Sequence, residues 1–228
     1  MIEIQEGPMR TSATNIKDCL TIEMPRHLDG RGFFQEMFSQ RWANSNNMFN
    51  GVAGYVNWQQ VNWSQSDRHV LRGIHVAPYG KLVTCLSGQI MDVVVDLRED
   101  SVSYLDHFFT MLSPEQTTQV FVPPGCGHAF LSLQPNTSVV YLQSDVYSTL
   151  KEWSVRWDDP QLAINWPVKA PILSDKDAAA PTVKEALKAR ADRLVKDINE
   201  RERVKRVLEA LKQAQSQQTE PASPREGT

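Results

Sequence analysis

Short apolar runs separated by turn residues make up most of the chain. The strongest, 90–97 (IMDVVVDL), is rich in valine and is bounded by charged residues. Similar runs, containing β-branched or aromatic residues, lie at 52–57, 81–86, 119–122 and 138–143. Runs of this length and composition are typical of β-strands, and hardly any helical periodicity separates them. The pattern therefore predicts an all-β fold, either a sandwich or a closed barrel.

The C-terminal part has the pattern of a helix. From 182 to about 213 there is no glycine or proline, and good helix formers dominate. Apolar residues recur there at mostly three- and four-residue steps, interrupted by Arg201, which predicts one apolar helical face. These residues are Leu187, Ala191, Leu194, Ile198, Val204, Leu208 and Leu211. We predict a barrel domain at 1–180, a helical extension at 181–213 and a disordered tail at 214–228. The helix could pack on its own domain, on its counterpart in a partner, or on another protein.

Composition and charge exclude several classes of protein. The 228 residues are 41% apolar and 22% charged, with a formal net charge of −3, so nothing favours binding to nucleic acid or to an acidic membrane surface. No apolar stretch is long enough for a membrane span, and the N-terminus lacks the pattern of a secretory signal. Cys19, Cys85 and Cys126 are widely spaced and form no CxxC pair. We expect a cytoplasmic protein without a disulfide framework or a thiolate zinc site.

Two of the five histidines lie in turn-rich contexts that could carry chemistry. His75 occurs in LRGIHVAPYGK, directly before a predicted strand, and His128 occurs in PPGCGHAF, directly after another. Together with Gly88, which closes a strand, and Gly125, they resemble the two motifs of the cupin barrel. Many cupins bind a metal through an HxH pair, a nearby glutamate and a later histidine.

The ligands of such a metal site are largely missing. Val76 and Ala77 follow His75, so there is no HxH pair, and no glutamate lies between His75 and Gly88. Lys81 is the one charged residue in that interval, and it would repel a cation. One histidine from each motif is too few for a usual site with three protein ligands. We therefore predict chemistry that uses no metal ion and no cofactor.

Nine further segments, covering roughly 14–178, carry a closer resemblance. They are HLDGRGFFQE at 27–36, QVNWS at 60–64, LRGIH at 71–75, KLV at 81–83, DVVVDLR at 92–98, PPGCGH at 123–128, WDDP at 157–160, INWP at 164–167 and LSDKD at 173–177. In this order they resemble the dTDP-4-dehydrorhamnose 3,5-epimerase family. The resemblance implies a cupin-like β-sandwich or jelly-roll barrel with a C-terminal helical extension. It also implies a homodimer, because in this family the N-terminal segment of one subunit helps to build the partner's site.

The resemblance implies roles for four residues in a proton-transfer reaction. A 4-keto group acidifies the hydrogens on neighbouring ring carbons, so the site needs a base and an acid on opposite faces of the sugar. By resemblance His75 is the base, Asp177 orients its imidazole, and Tyr141 is the acid. Lys81 lies where the family has the lysine that stabilises the enolate oxygen. Taken alone, Asp177 could instead cap the C-terminal segment, and Lys81 could be a solvated strand end.

The resemblance also implies a set of residues that bind the nucleotide-sugar. These are Arg31, Phe33, Glu36, Gln60, Asn62, Arg72, Asp92, His128 and Tyr147. Arginine is well suited to the diphosphate because its guanidinium forms paired hydrogen bonds to phosphate oxygens. The role of Asp92 stays open: it could be a satisfied buried carboxylate, or a hydrogen-bond partner of His75 or Lys81.

One departure from the family pattern concerns the segment after His75. Family members usually have an aromatic residue and a glutamine next, followed by a longer loop to the lysine. Here His75 and Lys81 are separated only by VAPYG. The catalytic residues are therefore compatible with inversion at C3, at C5 or at both, on a dTDP- or GDP-linked sugar. A sugar-nucleotide 3,4-ketoisomerase, a non-catalytic binding module and, less favoured, a metal-dependent oxygenase are the alternatives.

Overall fold

The computed structural model describes residues 9–45 and 57–218. The strand predicted at 52–57 lies outside the described residues except for Asn57, which is not in a strand. The chain forms two compact units, Met1–Val183 and Lys184–Thr228. Within the described ranges, no helix is long and apolar enough to cross a membrane.

The first unit is built almost entirely of strands. In chain order they are β1 (Arg10–Ala13), β2 (Leu20–Glu23), β3 (His27–Asp29), β4 (Gly32–Phe34), β5 (Gln60–Ser66), β6 (Leu71–Val76), β7 (Lys81–Ser87), β8 (Ile90–Asp96), β9 (His107–Leu112), β10 (Thr118–Val122), β11 (Cys126–Ser132), β12 (Thr137–Gln143) and β13 (Trp153–Ser154). The helices are α1 (Gln40–Ser45), a 3₁₀ turn at Pro114–Gln116, α2 (Asp175–Ala178) and α3 (Val183–Gln218). The all-β prediction and the C-terminal helix are both confirmed.

Two antiparallel sheets enclose the core. One has the order β1-β2-β10-β7-β12-β5 and the other the order β13-β6-β11-β8-β9, while β3 and β4 form a separate hairpin. The main cluster of buried side chains draws on both sheets, with Val83 and Val120 from the first, and Val94 and Phe130 from the second. The functional cavity described below is lined by residues of the same two sheets.

Four of the predicted strands are confirmed as β7, β8, β10 and β12, to within one residue at either end. All seven residues of β8 are buried, which explains why it appears in the sequence as an apolar run and not as an alternating one. As expected, β7 follows His75 and β10 precedes His128, but the turn context was wrong, because His75 lies inside β6 and His128 inside β11. β6 was not predicted, because Arg72 and Gly73 interrupt its apolar run. Its pairing with β11 and β13 on its two sides keeps it extended.

The first residue of the C-terminal helix, Val183, still belongs to the first unit. The backbone N–H of Val183 donates to Asp159 Oδ2 at 2.8 Å, and Asp159 is buried. The helix ends at Gln218 and so includes 214–218, which the sequence had assigned to the tail, while 219–228 lie outside the described residues. Five of its large apolar side chains are exposed: Leu194, Val195, Ile198, Val204 and Leu208.

Candidate active site

A cavity of about 370 Å³ lies in the first unit. Six of the residues singled out in the sequence line it: Arg72, His75, Lys81, His128, Tyr141 and Asp177. Segments that are far apart in the chain are therefore brought together at one place, including all four residues expected to take part in proton transfer.

The strand register explains this convergence. Successive side chains of a strand point to opposite faces, so Tyr141 and Gln143 of β12 share one face. Gln143 is the Cα partner of Lys81 on β7, which places Lys81 and Tyr141 on the same wall, formed by the six-stranded sheet. His75 is the Cα partner of His128 in the five-stranded sheet, which forms the opposing wall. The imidazole of His75 and the phenol of Tyr141 therefore face the cavity from different sheets.

His75 is paired with Asp177. The distance from His75 Nε2 to Asp177 Oδ1 is 2.6 Å, and the side chains are 28% and 4% exposed, respectively. Asp177 also accepts a hydrogen bond from the backbone N–H of Gly73 at 3.5 Å. Burial alone would raise the pKa of Asp177, but the hydrogen bond and the charge of His75, with the Gly73 bond, hold it below its usual range.

The ionised carboxylate determines which nitrogen of His75 can accept a proton. A carboxylate only accepts hydrogen bonds, so Nε2 of the paired imidazole carries the hydrogen. The other nitrogen, Nδ1, is then the acceptor available as a general base. The backbone supports this geometry, because Ser174 is the N-cap of α2 and its hydroxyl accepts from the N–H of Asp177 at 3.2 Å. Asp177 thus caps nothing itself and is positioned for His75.

A second histidine–aspartate pair lies deeper in the wall. His128 Nε2 is 2.7 Å from Asp92 Oδ1, and the two side chains are only 8% and 1% exposed. The sequence left Asp92 as a satisfied carboxylate or as a partner of His75 or Lys81. Those two partners were wrong, because β8 lies beside β11 and brings Asp92 to His128. Its other oxygen, Oδ2, has no hydrogen-bond partner among the described residues, so the carboxylate is only partly satisfied.

Lys81 is a buried cation at the start of β7. It is 6% exposed, so it is not a solvated strand end. Burial lowers its pKa, and the positive charge of Lys176 adds to that effect, while the carboxylates of Glu152 and Asp92 raise it. A buried ammonium that faces a cavity is well placed to stabilise negative charge on a ligand oxygen, because little solvent screens it there.

Tyr141 and Arg72 complete the group that lines the cavity. Burial raises the pKa of Tyr141, and the negative charge of Glu152 raises it further, so the phenol is a neutral hydrogen donor at ordinary pH. Arg72 Nε donates to Ser66 Oγ at 3.1 Å, and its Nη2 donates to the carbonyl oxygen of Gln65 at 3.1 Å. These bonds hold the guanidinium at the edge of the cavity, next to β5.

Three other residues expected to bind the nucleotide-sugar, Gln60, Asn62 and Tyr147, form a separate hydrogen-bonded group. Gln60 Nε2 donates to Asn62 Oδ1 at 2.8 Å, and Gln60 Oε1 accepts from the backbone N–H of Tyr147 at 2.9 Å. None of the three lines the cavity itself. Asn62 is, however, the Cα partner of Tyr141, so the group lies immediately beside it along the same sheet.

The remaining three expected residues lie elsewhere. Arg31, Phe33 and Glu36, on or just after the β3–β4 hairpin, are exposed and do not line the cavity of their own chain. Arg31 forms an ion pair with Asp29, and the Phe33 ring lies 4.1 Å below the guanidinium of Arg26.

The cavity also contains residues that the sequence analysis did not single out. Lys176 and Ser64 line it, and both lie within motifs quoted above. Ser64 follows Gln60 and Asn62 at two-residue steps, so strand periodicity could have placed it on the same face. Lys176 adds an exposed cation next to Asp177. In the described ranges no three histidine, cysteine, aspartate or glutamate side chains converge as ligands of a metal would.

Comparisons with known proteins agree with the resemblance found at 14–178. The family model described as dTDP-4-dehydrorhamnose 3,5-epimerase matches residues 13–185. A relative of that name from Shigella flexneri is 38% identical over 174 residues, which are 74% of this chain and 93% of the relative.

Solved structures extend the likeness to the fold. A 4-keto-6-deoxy sugar epimerase from the novobiocin gene cluster of Streptomyces spheroides is 32% identical, with a TM-score of 0.74 over 82% of this chain and 94% of that one. A dTDP-6-deoxy-D-glucose-3,5-epimerase from Legionella pneumophila, bound to dTDP-4-keto-L-rhamnose, is 35% identical, with a TM-score of 0.72 over 78% and 94%. The predicted cupin-like barrel is confirmed.

Proposed function

Because the chain belongs to the dTDP-4-dehydrorhamnose 3,5-epimerase family, we propose that it epimerises a nucleotide-diphosphate 4-keto-6-deoxy sugar by removing and returning a proton. The single observation that carries the proposal is the cavity in which the His75–Asp177 pair faces Tyr141 and Lys81. A base and an acid on opposite walls can act on opposite faces of one ring carbon, which is what inversion requires.

The steps follow from the positions of these groups. His75 Nδ1 takes the hydrogen from C3 or C5, next to the 4-keto group, and the electron pair of the C–H bond moves into the enolate. Asp177 stabilises the imidazolium that forms. The ammonium of Lys81 stabilises the enolate oxygen, and Tyr141 donates a proton to the opposite face of the carbon. Nothing is oxidised or reduced: His75 releases the proton it took to solvent, and the phenolate left at Tyr141 takes a proton from solvent, which restores both groups.

The proposed substrate is the dTDP-linked sugar, with inversion at both C3 and C5. The family name and the sugar bound to the Legionella pneumophila enzyme support it. A second candidate is inversion at a single centre, and the segment between His75 and Lys81 favours it. That segment is short and lies beside the base, so it changes the space available to one side of the sugar. The nucleotide itself is expected to contact Arg31, Phe33, Glu36 and the Gln60 group.

The homodimer implied by the resemblance is part of this proposal. Arg31, Phe33 and Glu36 are exposed on their own chain and lie outside its cavity, so a second copy is needed to bring them to a substrate. Leu28, Phe33 and Phe34 of the hairpin are 44%, 60% and 70% exposed, as expected for apolar side chains that pack on a partner. A two-stranded hairpin by itself is only marginally stable, so contact with a second copy would stabilise it.

Mixing two inactive variants tests the dimer. Arg31→Ala and His75→Ala each damage one side of a shared site, so mixed dimers contain one intact site and regain activity. Failure to regain any activity, with subunit exchange shown by mass spectrometry, contradicts the shared site.

We place the whole reaction in the barrel at 1–180, in the cytoplasm, and assign no step to the helical extension.

Deuterium exchange tests the reaction. We would incubate the protein in heavy water with dTDP-4-keto-6-deoxyglucose and, separately, with the GDP-linked mannose counterpart, and follow the ring protons by NMR. We expect deuterium at C3, C5 or both with the dTDP sugar, and none with His75→Ala. Exchange at one centre selects the second candidate. No exchange with either sugar, from protein shown to be folded, would favour the ketoisomerase or the binding module.

A further inference from the structure

The segment between β6 and β7 separates the base from the cationic lysine and is firmly anchored. Ala77 and Tyr79 are 2% and 3% exposed, respectively. The carbonyl oxygen of Ala77 accepts from the N–H of Gly125 at 2.8 Å. Gly80 donates its N–H to Ser144 Oγ at 3.0 Å and accepts from the N–H of Ser144 at 3.1 Å. The backbone that leads into Lys81 therefore has little freedom.

Tyr79 adds a side-chain anchor to this segment. Its hydroxyl donates a hydrogen bond to Glu152 Oε1. Glu152 immediately precedes β13, whose residues Trp153 and Ser154 are the Cα partners of Val76 and His75. Burial raises the pKa of Tyr79 far above its usual value, and the bond to Glu152 raises it further, so Tyr79 remains a neutral donor. The carboxylate of Glu152 is thus held next to the strand that carries the base.

The charges around Lys81 indicate that the carboxylate of Glu152 favours the protonated form of this lysine. Burial works against the ammonium, and the cation Lys176 works in the same direction. Of the two carboxylates that favour it, Glu152 has the larger effect and Asp92 the smaller. One oxygen of Asp92 is already bonded to His128. Glu152 and Lys81, both among the described residues, form no direct ion pair with each other. The other titratable and charged groups that line the cavity with Lys81 are Arg72, His75, His128, Tyr141 and Asp177.

We propose that Tyr79 and Glu152 are positioning residues: their hydrogen bond fixes a carboxylate near Lys81 that keeps the buried ammonium charged while leaving its N–H groups free for a ligand oxygen. The inference rests on the proposed epimerisation, in which Lys81 stabilises the enolate. If Glu152 paired directly with Lys81, it would occupy the donors that the enolate needs. If Glu152 turned to solvent, which its half-buried position permits, the ammonium would lose its main compensating charge.

The direct test measures Lys81 without any substrate. In the full chain labelled with ¹⁵N and ¹³C at lysine, the Lys81 side-chain resonance is assigned by its loss in Lys81→Arg and is titrated by NMR. We expect the pKa of Lys81 to fall in Tyr79→Phe and to fall further in Glu152→Gln. Tyr104→Phe, which removes a hydroxyl on the distant loop between β8 and β9, is the matched control and leaves the titration unchanged. An unchanged or raised pKa of Lys81 in Tyr79→Phe overturns the inference, even if that variant melts at a lower temperature.

The second test uses the pH dependence of turnover. Lys81 must be protonated, so activity is lost as pH rises through its pKa, and a lower pKa moves this alkaline loss to lower pH. In Tyr79→Phe we expect about a tenfold fall in kcat above neutral pH, with KM changed far less. Equal losses at every pH would indicate a purely structural role and overturn the inference. If wild-type protein shows no proton exchange while the titration behaves as expected, the proposed function fails and the electrostatic role of the pair stands.

Discussion

The two histidine–aspartate pairs are almost identical in their hydrogen bonds and very different in their surroundings. His75–Asp177 and His128–Asp92 have Nε2–Oδ1 distances of 2.6 and 2.7 Å, respectively. The side chain of His75 is 28% exposed, whereas that of His128 is 8% exposed. A general base must both reach its substrate and exchange protons with solvent. The two pairs therefore differ in how accessible the histidine is, and not in how it is bonded to its aspartate. We propose that the first pair abstracts the proton and that the second supports the cavity wall.

The largest expected effect separates the two histidines. We expect His75→Ala to lower kcat by about 10³-fold, because it removes the base, while His128→Ala costs about tenfold through loss of a cavity contact. The measurement is loss of the C3 and C5 protons in heavy water, scored by NMR. His107→Ala, on the edge strand β9, is a control with unchanged turnover. Equal losses in the His75 and His128 variants would contradict the distinction.

The orienting carboxylate gives the next largest effect. Asp177→Asn keeps the shape of the side chain but removes its charge, so the imidazole loses its fixed hydrogen on Nε2 and the stabilisation of its protonated form. We expect kcat to fall by about 10²-fold, with KM nearly unchanged. Asp175→Asn, on the same short helix and exposed, is the matched control. A loss confined to KM would assign Asp177 to substrate binding.

Sequence patterns predicted the two pairs unequally. Residues 75 and 177 are 102 positions apart, and no local spacing predicts their contact, so that pairing depended on the family resemblance. Asp92 and His128 come together through the β8–β11 register, and a register between strands that are not neighbours in the chain cannot be derived from periodicity alone. This is why the sequence left the role of Asp92 open and did not include His128 among its possible partners.

The strands themselves were predictable where one physical property dominated. Burial on both faces makes β8 a continuous apolar run, so the composition of 90–97 was sufficient. In β6, Arg72 and Gly73 break the run, and only the hydrogen bonds of the two neighbouring strands keep it extended. The position of the β3–β4 hairpin outside the cavity could not be predicted from strand patterns either, because they do not show which residues of the chain line the cavity.

We expect the buried His128–Asp92 pair to affect the stability of the fold more than turnover. In Asp92→Asn the amide oxygen can still accept from His128 Nε2, but a charge-assisted hydrogen bond becomes a neutral one inside the wall. We expect the free energy of unfolding to fall by about 1 kcal/mol, measured by chemical denaturation at neutral pH. Turnover should change less than in Asp177→Asn. If Asp92→Asn left stability unchanged and abolished exchange, proton transfer would have to be assigned to the deeper pair.

The smallest expected effect is the dependence of stability on acid. The pKa of Asp177 is lower in the folded protein than its usual value of 3.8, because the bond and charge of His75 outweigh burial. Its contribution is therefore fully present above the unfolded pKa and is lost as pH falls through the folded pKa. We expect Asp177→Asn to lack this contribution, of no more than about 1 kcal/mol, so its deficit relative to wild type shrinks on acidification below the usual carboxyl range. Denaturation curves of wild type, Asp177→Asn and Asp175→Asn from pH 7 downward measure it. A deficit that grew toward acid would mean that the His75 bond does not favour the ionised carboxylate, and the argument for Nδ1 as the base would lose its support.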